Sequence, residues 1–142
     1  MSLQRFERGT VIADLAESVL DVARRMRDFH VGCVVVVRGS HPIGIVTDRD
    51  LVIRVVAEGR DPATTRVADV VTYDATTVPR DAGIETVARV MRDRGVRRLP
   101  IVTEDGKIAG IVTADDLTIL LAQELADVGA GLGESVDSSE SR

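Results

Sequence analysis

Apolar positions along the chain alternate between two rhythms. Ile84, Val87, Ala88 and Met91 recur at i, i+3, i+4 and i+7, which predicts a helix from about 83 to 94 that Gly95 ends. Before it, "ATTV" (75–78) is short and β-rich, and Pro79 stops it from running on. After it, "RRLPIV" (97–102) and "IAGIVT" (108–113) flank the polar, glycine-containing "TEDGK", the pattern of a hairpin. From Asp115 helical spacing returns through Leu117, Leu120, Leu121 and Leu125. The first half carries the same series: "TVIA" (10–13), a helix near 18–29, "CVVVV" (33–37), "PIGIV" (42–46) and a helix from about 48 to 58. Each half therefore reads as strand, helix, strand, strand, helix.

The halves also match letter by letter. Val22-Ala23-Arg24-Arg25-Met26-Arg27-Asp28 aligns with Val87-Ala88-Arg89-Val90-Met91-Arg92-Asp93, and "GIVTDRDL" (44–51) with "GIVTADDL" (110–117). The register slips by one residue between these blocks, and the extra residue falls in the hairpin loop, where "RGSHP" corresponds to "TEDGKI". Loop tips tolerate such insertions, so the match is a structural repeat. "EGRDPATTR" (58–66) joins the halves. The chain divides into a first repeat with its lead and linker (1–66), a second repeat (67–129) and an acidic tail (130–142). The tail sequence "GLGESVDSSESR" offers almost nothing to bury and is expected to be disordered.

Composition narrows the functions. At 142 residues and 44 % hydrophobic the chain can bury one ordinary core or two very small ones. The net charge of −5 disfavours generic binding of a phosphate backbone. Cys33 is the single cysteine, which leaves no disulfide framework and suits a reducing cytoplasm. No apolar run approaches the ~20 residues of a membrane span, and the N-terminus lacks the apolar stretch of a signal peptide. His30 and His41 stand apart from each other and from any acidic cluster. With no Ser-His-Asp order, P-loop or GxGxxG fingerprint, no catalytic constellation emerges and no metal site is expected.

The repeated junction remains as candidate chemistry. Thr47 with Asp50, and Thr113 with Asp116, have the spacing of a capping box, in which hydroxyl and carboxylate satisfy the first N–H groups of a helix. The same turn presents free N–H groups and a carboxylate to an anionic or hydroxyl-rich ligand, and a ribose diol is one such partner. Gly44 and Gly110 lack side chains and would let a sugar or base approach the strand backbone. The spacing alone accommodates both readings.

Two repeats of this order, each with R-x-hydrophobic-P-hydrophobic-V ("RRLPIV") or its degraded equivalent before a hairpin and G-hydrophobic-hydrophobic-T-x-x-D after it, resemble the cystathionine-β-synthase (CBS) domain pair over roughly residues 5–128. The resemblance implies an α/β (α+β) fold of two β-α-β-β-α repeats packed sheet to sheet about a pseudo-twofold axis, with two clefts for adenosine-containing ligands. It implies AMP, ADP or ATP as ligand, with S-adenosylmethionine and NAD as wider candidates, and a cytoplasmic, non-enzymatic sensor with nothing else attached. Val11, Ile12 and Ala13 in the first repeat, and Thr76, Thr77 and Val78 in the second, would meet the adenine. Arg97 and Arg98 stand where the family often sets basic residues against phosphate, and are expected to serve the cleft of Thr113 and Asp116. A homodimer is implied, paired through the helices near 18–29 and 83–94, together with an unidentified protein target. The alternative is a structural dimerisation or protein-interaction module without ligand.

Overall fold

The computed structural model describes residues 3–7, 9–74 and 76–140, with side chains described to residue 133. In the first repeat, β1 (Ile12–Ala13) leads to α1 (Val19–Phe29), β2 (Cys33–Arg38), β3 (His41–Thr47) and α2 (Asp48–Leu51). A strand β4 (Thr72–Tyr73) follows the linker. The second repeat comprises β5 (Val78–Pro79), α3 (Ile84–Arg94), β6 (Arg98–Val102), β7 (Ile108–Thr113) and α4 (Ala114–Glu140).

The strands form two sheets, one in the order β1-β2-β3-β4 and one in the order β5-β6-β7. In each, a short first strand runs parallel to the hairpin strand that follows its helix, and the hairpin is antiparallel. Equivalent bonds recur in both halves. Asp48 N donates to Gly32 O at 3.0 Å and Ala114 N to Arg97 O at 2.8 Å, so each motif helix is tied to the residue before its hairpin. The hairpin tips meet across the pseudo-axis, where Ile108 N donates to Ser40 O at 2.7 Å and His41 Nε2 lies 3.0 Å from Asp105 O.

The apolar periodicity becomes burial. Val19, Val22 and Met26 of α1 and Val87 and Met91 of α3 enter the two cores. All of Val34 to Val37 are buried, because β2 has the helix layer on one face and the other repeat on the other. α1 ends at His30 and α3 at Gly95, both left-handed, and each cap N–H returns to a carbonyl of the last turn.

The lead segments cross over. Val67, Val70 and Val71 bury in the first core although they follow the linker, while Leu3 buries in the second. The packing boundary therefore differs from the sequence boundary at residue 66. The run "VVTY" (70–73) supplies β4, an element that the strand pattern of the second repeat did not predict.

Four further expectations are corrected. Pro79 is inside β5 rather than beyond it, since an edge strand tolerates the missing N–H. Thr76 and Thr77 precede that strand, with Thr76 N donating to Asp74 Oδ1 at 2.8 Å, and Ala75 lies outside the described residues. The helix expected over 48–58 is α-helical only to Leu51 and then widens into π turns over Val52–Val56, with Ala57 N reaching Val52 O at 2.8 Å. The tail expected to be disordered from residue 130 continues α4 to Glu140. It meets no proline and can keep its i→i−4 bonds; the composition argument concerned burial, and from Leu121 to Gly133 every residue is indeed exposed. Val19, Val22 and Met26 of the helix near 18–29, and Val87 and Met91 of the helix near 83–94, are buried in their own cores, while Phe29 at the end of the first is 64 % exposed. Further large exposed hydrophobics stand on the π turns (Val52, Ile53, Val56) and along α4. Among the described residues no helix is long and apolar enough to cross a membrane.

Candidate functional site

Both repeated junctions are complete capping boxes. In the first, Asp50 N donates to Thr47 Oγ1 at 3.1 Å and Thr47 N to Asp50 Oδ2 at 2.9 Å. In the second, Asp116 N donates to Thr113 Oγ1 at 3.0 Å and Thr113 N to Asp116 Oδ2 at 3.3 Å. Each carboxylate commits one oxygen to its cap. Asp50 Oδ1 lies 3.8 Å from Arg54 Nη2, while Asp116 Oδ1 accepts no hydrogen bond among the described residues.

Each junction opens into a cleft between the repeats. The first cleft, about 220 Å3, is lined by Ile45, Thr47 and Asp50, by Thr72 and Asp74 of the crossing segment, and by Val96, Arg97 and Arg98. The second, about 240 Å3, is lined by Ile111, Thr113 and Asp116 from one side and by Gly9, Val11, Val31, Gly32, Cys33, Val35 and Arg98. The segment 96–98 thus does for the first cleft what 31–33 does for the second. Of the two arginines expected to serve Thr113 and Asp116, Arg98 lines their cleft and Arg97 lines only the other. Across a pseudo-twofold, each motif faces the other repeat's hairpin entry, so both arginines line the cleft of Thr47 and Asp50, and Arg98 alone reaches both.

The arginines differ in their ties. Arg97 Nη2 donates to Asp115 Oδ1 at 3.0 Å, with both side chains largely in solvent, so the pair is weak and easily exchanged for another anion. Arg98 lies against Cys33: burial pushes that thiol up, and the nearby guanidinium opposes the shift without cancelling it. Arg54, one turn beyond Asp50, donates to Val70 O at 2.6 Å and Thr72 Oγ1 at 3.0 Å, which pins the crossing segment to the cleft floor.

The remaining candidates divide. Val11 lines the second cleft. Ile12 lies outside both linings, 42 % exposed, and its carbonyl accepts from Arg25. Ala13 and Val78 are core residues, 2 % and 1 % exposed, because alternate residues of β1 and β5 must fill the space under α1 and α3. Thr76 and Thr77 line a depression of about 500 Å3 with Asp74, Val90 and Arg94. It adjoins the first cleft through Asp74, a residue that motif reading missed because it belongs to no repeated pattern.

Gly44 and Gly110 do admit a close approach, but by the chain itself. A Cβ on Gly44 would stand 2.5 Å from Thr72 O and 2.7 Å from Val71 Cγ2; on Gly110 it would meet Phe6 O and stand 2.7 Å from Glu7 Cα. The crossing segments occupy the places expected for a sugar or base.

The family model for the CBS domain matches residues 8–57 and again 67–123. The chain belongs to the CBS domain family. Its two matches form a CBS pair, with the mixed α+β architecture of other such pairs. An uncharacterized protein of Methanopyrus kandleri is 39 % identical over 111 residues, which cover 78 % of this chain and 57 % of that protein. The chain thus spans little more than half the length of that relative. Hypoxic response protein 1 of Mycobacterium tuberculosis is 31 % identical over 102 residues, 71 % of each chain. A crystal structure of hypoxic response protein I with two coordinated zinc ions superposes with a TM-score of 0.71 at 28 % identity, covering 83 % of this chain and 97 % of that one. The cytosolic domain of the Mg2+ channel MgtE, solved in complex with ATP, superposes with a TM-score of 0.65 at 31 % identity, covering 78 % of this chain and 44 % of that one. Among the described residues of the present chain, no three His, Cys, Asp or Glu side chains converge on a common metal position.

Proposed function

We propose that this CBS pair is a non-enzymatic regulatory module that binds an adenosine nucleotide, AMP, ADP or ATP, in the cleft of Thr47 and Asp50. The observation that carries the reading is the meeting, in one cleft, of a carboxylate with one oxygen beyond its helix cap and two arginines from the other repeat. The carboxylate suits a ribose diol and the guanidinium groups suit phosphate. Thr76, Thr77 and Asp74 extend the space for the base. The ATP complex of the MgtE cytosolic domain supports the same ligand class.

The second cleft, with Val11, Val31, Val35 and Ile111 around Thr113 and Asp116, shares only Arg98 and suits a less phosphorylated adenosine compound, S-adenosylmethionine among them. In this reading the module works in the cytoplasm and reports a metabolite level to a separate protein. Isothermal titration with AMP, ADP, ATP, S-adenosylmethionine and NAD tests it. Saturable binding of a phosphorylated adenosine compound, accompanied by a rise in melting temperature, is expected; at 100 times the dissociation constant the ligand stabilises by roughly 2.7 kcal/mol. Absence of binding by all five at millimolar concentration leaves the family's fold without this function.

A further inference from the structure

One cation stands between the two clefts. Arg98 lines both of them, and among the described residues no carboxylate pairs with it, whereas Arg97 is tied to Asp115. The equivalent residue of the first repeat is Cys33, which pairs with Thr47 as Arg98 pairs with Thr113. The two related positions therefore supply a single positive charge to two sites.

Charge makes this sharing consequential. Around the first cleft Asp50 and Asp74 face Arg97 and Arg98; around the second, Asp116 faces Arg98 alone. With Arg98 counted, each lining is neutral, and without it each keeps one net negative charge. A phosphate monoester carries about −1.5 to −2 near pH 7. It finds its counter-charge in either cleft only while Arg98 points there. The fork of one guanidinium grips one phosphate, and a second phosphate drawn to the same cation would add like charge beside the first.

We propose that the two clefts compete for Arg98, so that a phosphorylated ligand in the first weakens phosphate binding in the second, and the reverse. This rests on the reading of the clefts as adenosine sites and adds how they are coupled. The first cleft prevails, because Arg97 gives it a second cation whose exposed pair with Asp115 is easily exchanged. The second is then left with Asp116 and an apolar lining, so a phosphorylated compound in the first cleft biases the second toward an unphosphorylated one.

Amide NMR titration of the full chain with AMP and, separately, with adenosine tests this. Ile45 and Ile111 hold the same position in β3 and β7 and line the first and the second cleft respectively, so each reports one site. In the parent, Ile45 should respond to AMP first and Ile111 only at higher concentration. Arg97→Ala, at an exposed position, should raise the AMP midpoint at Ile45 and lower that at Ile111 by at least about fivefold, an ordinary coupling between sites. The direction discriminates: loss of a positive charge by itself weakens anion binding in both clefts, so a gain at Ile111 requires the release of Arg98 to it. Adenosine should give the same Ile111 midpoint in parent and variant. Arg97→Gln repeats the comparison with most of the side-chain length kept. An AMP midpoint at Ile111 that stays or rises in these variants, or one that falls equally for adenosine, overturns the competition and leaves nucleotide binding standing. If neither ligand shifts Ile45 or Ile111, the adenosine reading fails and the competition fails with it.

Discussion

Cys33 and Arg98 hold the same place in the two repeats and face each other across the pseudo-twofold. Cys33 is the β2 residue paired with Thr47, and Arg98 the β6 residue paired with Thr113. A position that is duplicated in the backbone has thus been given a small neutral side chain on one side and a long cation on the other. The two clefts are unequal because of it. Arg98 lines both, whereas Cys33 lines only the second.

Removing that cation tests its role. Arg98→Ala should leave the fold intact, since Arg98 is only half-buried and makes no hydrogen bond that the sheet requires. If AMP binds in the first cleft, its affinity should fall about tenfold, in keeping with the ~1.5–3 kcal/mol of a charge-assisted hydrogen bond. Adenosine, lacking phosphate, should change little. Parallel titrations with the two ligands check this, and equal losses for both would locate Arg98 at the sugar or base.

The Cys33 thiol is raised by burial, with Arg98 opposing. The folded chain therefore holds this proton at a pH where the unfolded chain has begun to lose it. The corresponding stability is fully present below the ordinary thiol value of about 9.0 and declines as pH rises through and above it. Chemical denaturation of the parent should show a loss between pH 8 and 10 that is smaller in Cys33→Ala. Thiol labelling should be slow at pH 7, and slower still in Arg98→Ala after correction for exposure.

Capping and ligand binding separate at the repeated aspartates. Asn keeps an acceptor oxygen for Thr47 N or Thr113 N, so Asp50→Asn and Asp116→Asn should each lose no more than about 1 kcal/mol of stability. Loss of a charge-assisted acceptor should weaken a bound ribose at least tenfold. Because Arg97 and Arg98 both line the first cleft, the larger effect on AMP is expected at Asp50. Unchanged affinity in both variants would reduce the pair to helix caps.

The glycines of the motif serve the crossing segments. Gly44→Ala would place a methyl against Thr72 O and Val71 Cγ2, and Gly110→Ala against the backbone of Phe6 and Glu7. Neither neighbour is the flexible end of a side chain, so each variant should lose about 1–3 kcal/mol. Gly83→Ala meets nothing within 4 Å and serves as control; it stands at the N-cap of α3, where alanine is poorer than glycine, and should lose less than about 1 kcal/mol. Urea denaturation of the three gives the comparison.

Two aspects of this protein were determined by sequence alone, because they depend on neighbours within a few residues. The 3.6-residue recurrence of Val87 and Met91 specified α3, and the Thr-x-x-Asp spacing specified both capping boxes, for each partner sits three or four residues from the other. Repetition then specified that the same unit occurs twice. Tertiary structure decided everything that depends on which unit faces which. Arg97 and Arg98 are written beside the second motif, yet they line the cleft of the first, since a twofold arrangement sets each hairpin entry against the other repeat's junction. Gly44 looked open to a ligand until Thr72, 28 positions along, was seen to pass over it. Val78 carries no local mark that separates core from cleft wall; its place under α3 makes it core. α4 shows the converse, since its composition foretold the lack of burial while its unbroken backbone hydrogen bonds, blind to burial, continued the helix to Glu140.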